Sequence, residues 1–180
     1  CKAYFVKAGV KGWYRWEGNE VVGYNGLRME FSTASLNGSH MLLGFSFAAG
    51  TISATTSKTY PAHWCVEYSV DGGQSYTLCP SAATGVDYVH LRSLPWWDAS
   101  LAGNRYNTCS SAGIGLTDHL FRLPAEVFGR ERVMVRIRPY DKVMTVLPLV
   151  WNGDTETAEI SAATTYDNQL RWGVITLRYR

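Results

Sequence analysis

The stretch from His63 to Cys79, HWCVEYSVDGGQSYTLC, constrains the fold more than any other part of the chain. Trp64, Val66, Tyr68 and Val70 alternate with Cys65, Glu67 and Ser69, which is the two-residue period of a half-buried strand. Asp71, Gly72 and Gly73 then supply a turn. The Asp side chain bonds its own backbone, and Gly tolerates the positive φ of a bulged three-residue hairpin loop. Alternation resumes with Tyr76 and Leu78 on one face. Pairing Val70 with Gln74 sets Tyr68 against Tyr76, Val66 against Leu78 and Cys65 against Cys79. A slip of one residue would split the two apolar sets between opposite faces, so the pattern predicts this register.

The same period recurs along the chain. Leu27, Met29 and Phe31 alternate with Arg28, Glu30 and Ser32, and Met41, Leu43, Phe45 and Phe47 with smaller residues. Val133, Val135 and Ile137 point to one side, with Arg132, Arg136 and Arg138 on the other; Ile175, Leu177 and Tyr179 close the series. No helical period is sustained, and PAEVFG allows only a short turn or kink. These elements predict an all-β fold of about ten short antiparallel strands in a two-sheet sandwich, with minimal helix. At 180 residues, without internal repeat, the chain reads as one domain over 1–180, long enough to bury a full core.

Residues 93–118, SLPWWDASLAGNRYNTCSSAGIGLTD, break this rhythm. At most Asp98 to Ala102 would form a helical turn, capped by Asp98 and stopped by Gly103. A connection this long in a compact domain is usually functional or disordered. It concentrates Trp96, Trp97, Asp98, Asn104, Arg105, Tyr106 and Asn107. Rings that stack on the apolar face of a pyranose, beside groups that bond its hydroxyls, make these the candidate ligand-binding residues. The opposing reading is that the two Trp pin the loop to the sandwich, since large aromatics usually bury.

Cysteines stand at 1, 65, 79 and 109, without zinc-like spacing. In the predicted register Cys65 and Cys79 are cross-strand neighbours, either as a disulfide or as two reduced thiols. Cys1 is a candidate lipid anchor of a lipoprotein, against which AYFVKAG begins a strand-like pattern at once and leaves no tether. Arg132, Arg136 and Arg138 form a secondary basic face for sulfate, carboxylate or phosphate, or else a solvated face whose stems cover apolar neighbours.

The net charge of +2 gives no electrostatic case for nucleic acid. No apolar run approaches the roughly 18 residues of a membrane-spanning helix, and no signal peptide is visible, as expected of a mature chain or an excised fragment. There is no HExxH and no phosphate-cradling loop. Gly44-Phe45-Ser46-Phe47-Ala48 misses the last glycine of a GxSxG elbow and sits in mid-strand. Histidines at 40, 63, 90 and 119 are dispersed. No catalytic residue, metal site or cofactor is expected.

Ser69-x-Asp71-x-Gly73-x-Ser75-Tyr76 is similar to the Asp-box hairpin of sialidases and other secreted β proteins, although an Asp-box propeller would repeat the motif. EYSVDGGQSYT also resembles the hairpin of jelly-roll modules in bacterial cell-surface and adhesin-like proteins. FRLPAEVFGRERVMVRIRP and RWGVITLRYR look like that family's late strands. The resemblance implies a sandwich of jelly-roll type and a non-enzymatic, extracellular or cell-surface domain (outer-membrane associated in some settings). Such a domain binds glycans or spaces its neighbours, so a glycan or an adjoining surface protein is the partner implied. A protein-interaction sandwich without a small ligand stays open beside this, and a glycan-acting enzyme stands a distant third.

Overall fold

A computed structural model of the protein describes residues 4–7, 13–49, 59–61, 63–90, 117–141, 145–148, 157–159, 169–172 and 175–180. The first strands are β1 (Tyr4–Lys7), β2 (Tyr14–Glu17), β3 (Glu20–Tyr24), β4 (Leu27–Phe31) and β5 (His40–Ala49). They are followed by β6 (Thr59–Pro61), β7 (His63–Ser69), β8 (Thr77–Cys79), β9 (Val89–His90) and β10 (Thr117–Pro124). A 3-10 turn at Ala125–Val127 leads to β11 (Val133–Pro139). Then come β12 (Thr145–Pro148), β13 (Thr157–Glu159), β14 (Gln169–Trp172) and β15 (Thr176–Tyr179).

The fold is an all-β sandwich of antiparallel sheets. One main sheet runs β1-β14-β5-β10, with β15 also on β5; the other runs β4-β11-β7-β8, with β9 on β7. The chain passes between them at β4–β5, β9–β10 and β10–β11, the alternation of a jelly roll. Two smaller sheets, β13-β12-β6 and β2-β3, complete the described strands. Beyond β8 the chain reaches across to the first sheet: Ser81 bridges Phe121, the Ala82 N–H donates to the Leu120 carbonyl (2.8 Å), and the Arg122 N–H donates to that of Pro80 (3.1 Å).

The core lies where the inward faces meet. Met41, Leu43, Phe45, Phe121 and Leu123 face Trp64, Val66, Tyr68, Val133, Val135 and Ile137 in one buried cluster. Phe45 and Phe121 stack at 5.7 Å, while Trp13 meets Trp64 edge-on at 5.2 Å and so brings the β2–β3 hairpin onto the core. Burying a Trp stabilises by roughly 4–6 kcal/mol at about 25 cal/mol per Å². The alternation in β4, β5, β7 and β11 thus has its ordinary cause, one face of each strand turned to the core.

Two expectations for the hairpin need correction. The first is its register. Val66 pairs with Cys79, Glu67 with Leu78 and Tyr68 with Thr77, one residue off the predicted alignment. The cause is the loop. Gly72 and Gly73 take φ of 76° and 90°, but the turn is closed by side chains rather than by a three-residue bulge. The Asp71 carboxylate accepts from the Gln74 N–H (3.0 Å) and the Ser75 N–H (3.0 Å), and from the hydroxyls of Ser69 and Ser75. Ser69 Oγ in turn accepts from the Gly73 N–H (2.9 Å). Amides that a tight hairpin would give to the ladder are satisfied within the loop, so strand pairing stops at Tyr68–Thr77. The slip turns Tyr76 and Leu78 to the outer face and Cys79 to the core.

The second is the placing of the two cysteines as cross-strand neighbours; of the two states left open, reduced thiols are the one observed. Cys65 and Cys79 are free, buried thiols, not a disulfide. Cys79 shares the core-facing side with its pair Val66, whereas Cys65 lies on the opposite side, paired with Arg138 across β7–β11. Neighbours on opposite faces of a sheet cannot bring their sulfurs together without moving backbone. Burial pushes the Cys65 thiol up to about 12 and raises that of Cys79, so neither is a thiolate near neutral pH.

Candidate functional site

The outer face of the β4-β11-β7-β8 sheet carries the chemistry. The strand alternation predicts a half-buried β7, yet all seven of its residues are buried. Its outer side is covered by an ion-pair network. Arg138 grips Glu67 with two parallel bonds, Nε to Oε2 at 2.9 Å and Nη2 to Oε1 at 2.6 Å. Arg136 Nε donates to the same carboxylate. Arg138 Nη1 donates to the Pro139 carbonyl (2.8 Å) and to Asp141 (3.3 Å), which also accepts from the Tyr24 hydroxyl at 2.8 Å. Side-on Arg–carboxylate pairing of this kind is strong and geometrically selective.

The electrostatics follow from that packing. Burial pushes the Glu67 carboxyl up, but hydrogen bonds from Arg138 and Arg136 outweigh it and hold the group below the usual carboxylate range. Asp141 is lowered likewise, its burial offset by Tyr24 and Arg138. Burial and the bond to Asp141 push the Tyr24 phenol up to about 12. Both tyrosine rings on this face carry a guanidinium, Arg136 at 3.7 Å from the centroid of Tyr76 and Arg138 at 4.2 Å from that of Tyr24.

Between them the surface opens into a hollow of about 130 Å³ lined by Tyr24, Gly26, Arg28, Tyr76, Arg136 and Arg138. Gly26 forms part of its floor, where a Cβ would run into the Ile137 carbonyl. Arg28 is exposed, directly opposite Arg136 in the β4–β11 pairing, and makes no ion pair among the described residues. Glu30, two residues on, is held by Arg132 at 2.8 Å.

The expected basic face at Arg132, Arg136 and Arg138 is therefore neither free nor simply solvated. Arg138 is buried and paired with Glu67 and Asp141, Arg136 with Glu67, and Arg132 with Glu30. The proposed sugar platform, Trp96, Trp97, Asp98, Asn104, Arg105, Tyr106 and Asn107, lies outside the described residues, as do Cys1 and the rest of the 93–116 stretch. Of the histidines, His63 and His90 are backbone partners in the β7–β9 pairing. Among the described residues no group of three or more His, Cys, Asp or Glu is placed to hold a metal ion.

Glu67, Tyr24, Tyr76, Arg28 and Asp141 are the site residues that sequence reasoning passed over. A signal existed: the outward positions of β7 carry an acid and those of β11 two bases, which is what adjacent strands need for cross-strand pairing. No family model, curated protein or solved structure matches the chain.

Proposed function

We propose that the chain is a non-catalytic carbohydrate-binding or adhesin-like module of a secreted or surface-anchored bacterial protein. The observation that carries this reading is the open hollow on the outer sheet face, where tyrosine rings stand beside guanidinium groups on rigid strands. Rings to lie against a sugar and fixed donors for its oxygens are the two chemistries a saccharide site needs. Sites built on strands also hold their geometry better than sites on loops. The jelly-roll alternation and the DGG hairpin fit the same class of surface module. A hollow this small contacts only part of a ligand, because enclosing pockets run to about 300–1,000 Å³. Affinity at one site is then weak, about millimolar to tens of micromolar, and useful through multivalent display.

A structural or protein-interaction sandwich is the second reading, favoured by the neutralisation of Arg136 and Arg138 within the fold. A glycan array probed with the purified chain and its Tyr76→Ala variant separates the two. Binding to a defined subset of glycans, weakened in the variant, is the expected result. A blank array at high protein density gives the structural reading precedence.

A further inference from the structure

We propose that the hollow between Tyr24 and Tyr76 is a subsite for the carboxylate of a sugar acid, a uronic or sialic acid unit, with Arg28 as its principal charge partner. The inference rests on the carbohydrate reading above and narrows it to an acidic ligand.

Arg28 makes no ion pair among the described residues, and the carboxylate that feels its charge, that of Glu30, is itself held by Arg132. Arg28 and Arg136 are Cα partners on adjacent strands, and like charges directly opposite each other are destabilising. Glu67 answers Arg136 from the far side, leaving Arg28 facing a cation. The nearest acid on its own strand, Glu30, is engaged by Arg132 through Oε1 and Oε2 both. Of the guanidinium groups on this face, those of Arg132, Arg136 and Arg138 pair with Glu30, Glu67 and Asp141, and that of Arg28 makes no ion pair among the described residues. Arg28 borders the one hollow described on this face, and Arg136, about one-third exposed, spends only its Nε on Glu67.

A lone charge of this kind beside aromatic rings selects the ligand class. A nucleic acid needs a track of several cations to displace its counterions, and one does not make a track. A bare inorganic anion would leave the tyrosine edges without a role. A pyranose carrying one carboxylate satisfies both: the acid group takes charge-assisted bonds from Arg28 and the remaining donors of Arg136, and the ring lies along Tyr76.

The test is a titration, followed by NMR, of the folded chain with uronate and sialate oligosaccharides and with their methyl esters, which keep the sugar and remove the charge. Acetate and sulfate at matched ionic strength serve as small-anion probes. The acids are expected to bind at least about tenfold more tightly than the esters, as loss of one charge-assisted bond implies. Arg28→Gln should lose that advantage, Arg132→Gln should keep it, and added salt should weaken the acids alone. Arg28 is exposed and bonded to no carboxylate among the described residues, so its variant should fold. Equal binding of acid and ester overturns acid selection while leaving the carbohydrate reading standing. Acetate or sulfate binding as tightly as the oligosaccharides overturns the sugar assignment. If neither the acids nor their esters bind while the glycan array still gives hits, this subsite is wrong and sugars bind elsewhere; if the array is blank as well, both readings fall.

Discussion

On the core side of β7 and β11, Trp64, Val66, Tyr68, Val133, Val135 and Ile137 are closed off by the opposing sheet. On the other side the same two strands carry Cys65, Glu67, Arg136 and Arg138, closed off by their own ion pairs and by Tyr24 and Tyr76. Both faces bury most of the side chains they carry, by different means. Apolar contact is non-directional, so the inner face decides which side of a strand turns inward but tolerates several partners. The outer face is more exacting: Glu67 reaches both guanidinium groups only when it stands opposite Arg136 and diagonal to Arg138. The oily face orients the strands, and the charged face aligns them.

The strongest challenge to that division is Glu67→Ala. Leaving Arg138 buried without its carboxylate is expected to cost about 3–5 kcal/mol, comparable to Ile137→Ala on the inner face at about 2–5 kcal/mol. Urea denaturation measures both. The faces then part company in the double variant Glu67→Leu with Arg138→Met. With no buried charge left to strand, it should be more stable than Glu67→Ala. A double variant no more stable than Glu67→Ala would mean the pair acts through packing, not charge.

A smaller effect separates the faces by pH. The Glu67 carboxyl is held below its unfolded value, so its contribution is full above the unfolded pKa of about 4.3 and is lost as pH falls through the folded value. The wild-type midpoint should therefore fall on acidification below about pH 4, and Glu67→Gln should be flatter over the same range. Equal slopes would assign acid sensitivity to other carboxylates.

The smallest expected change is local. Asp71 is held well below the usual carboxylate range, chiefly by the hydroxyls of Ser69 and Ser75 and by the Ser75 amide. Asp71→Ala should speed amide hydrogen exchange at Gln74 and Ser75 and leave the Val66 and Val135 amides as they were. Faster exchange at Val66 would show that the loop helps hold the ladder itself.

What the sequence disclosed follows the same division. The inward residues of β4, β5, β7 and β11 were legible because burial against one opposing sheet imposes a two-residue period. The hairpin's register was not, for two reasons. Apolar alternation after the turn takes Tyr76 and Leu78 to be core residues, yet Tyr76 lies under the Arg136 guanidinium on the outer side. The loop length also depends on how many amides Asp71 and Ser69 collect, which periodicity does not encode. Arg136 and Arg138 were visible as a basic row, but their neutralisation by Glu67 needs the knowledge that β7 and β11 are adjacent, although β8, β9 and β10 come between them in the chain. The hollow needs a third strand, β4, and so was further still from view.

The short crossing beyond Cys79 bears on how copies of this domain tolerate one another. An open strand edge offers its amides and carbonyls to any passing chain and so seeds aggregation. β8 is only three residues long, and just past it Pro80, Ser81 and Ala82 bond to β10 of the other sheet. The second sheet is thus hemmed on that side by its own molecule. Copies crowded side by side there can touch without exchanging strands, and each keeps its own fold.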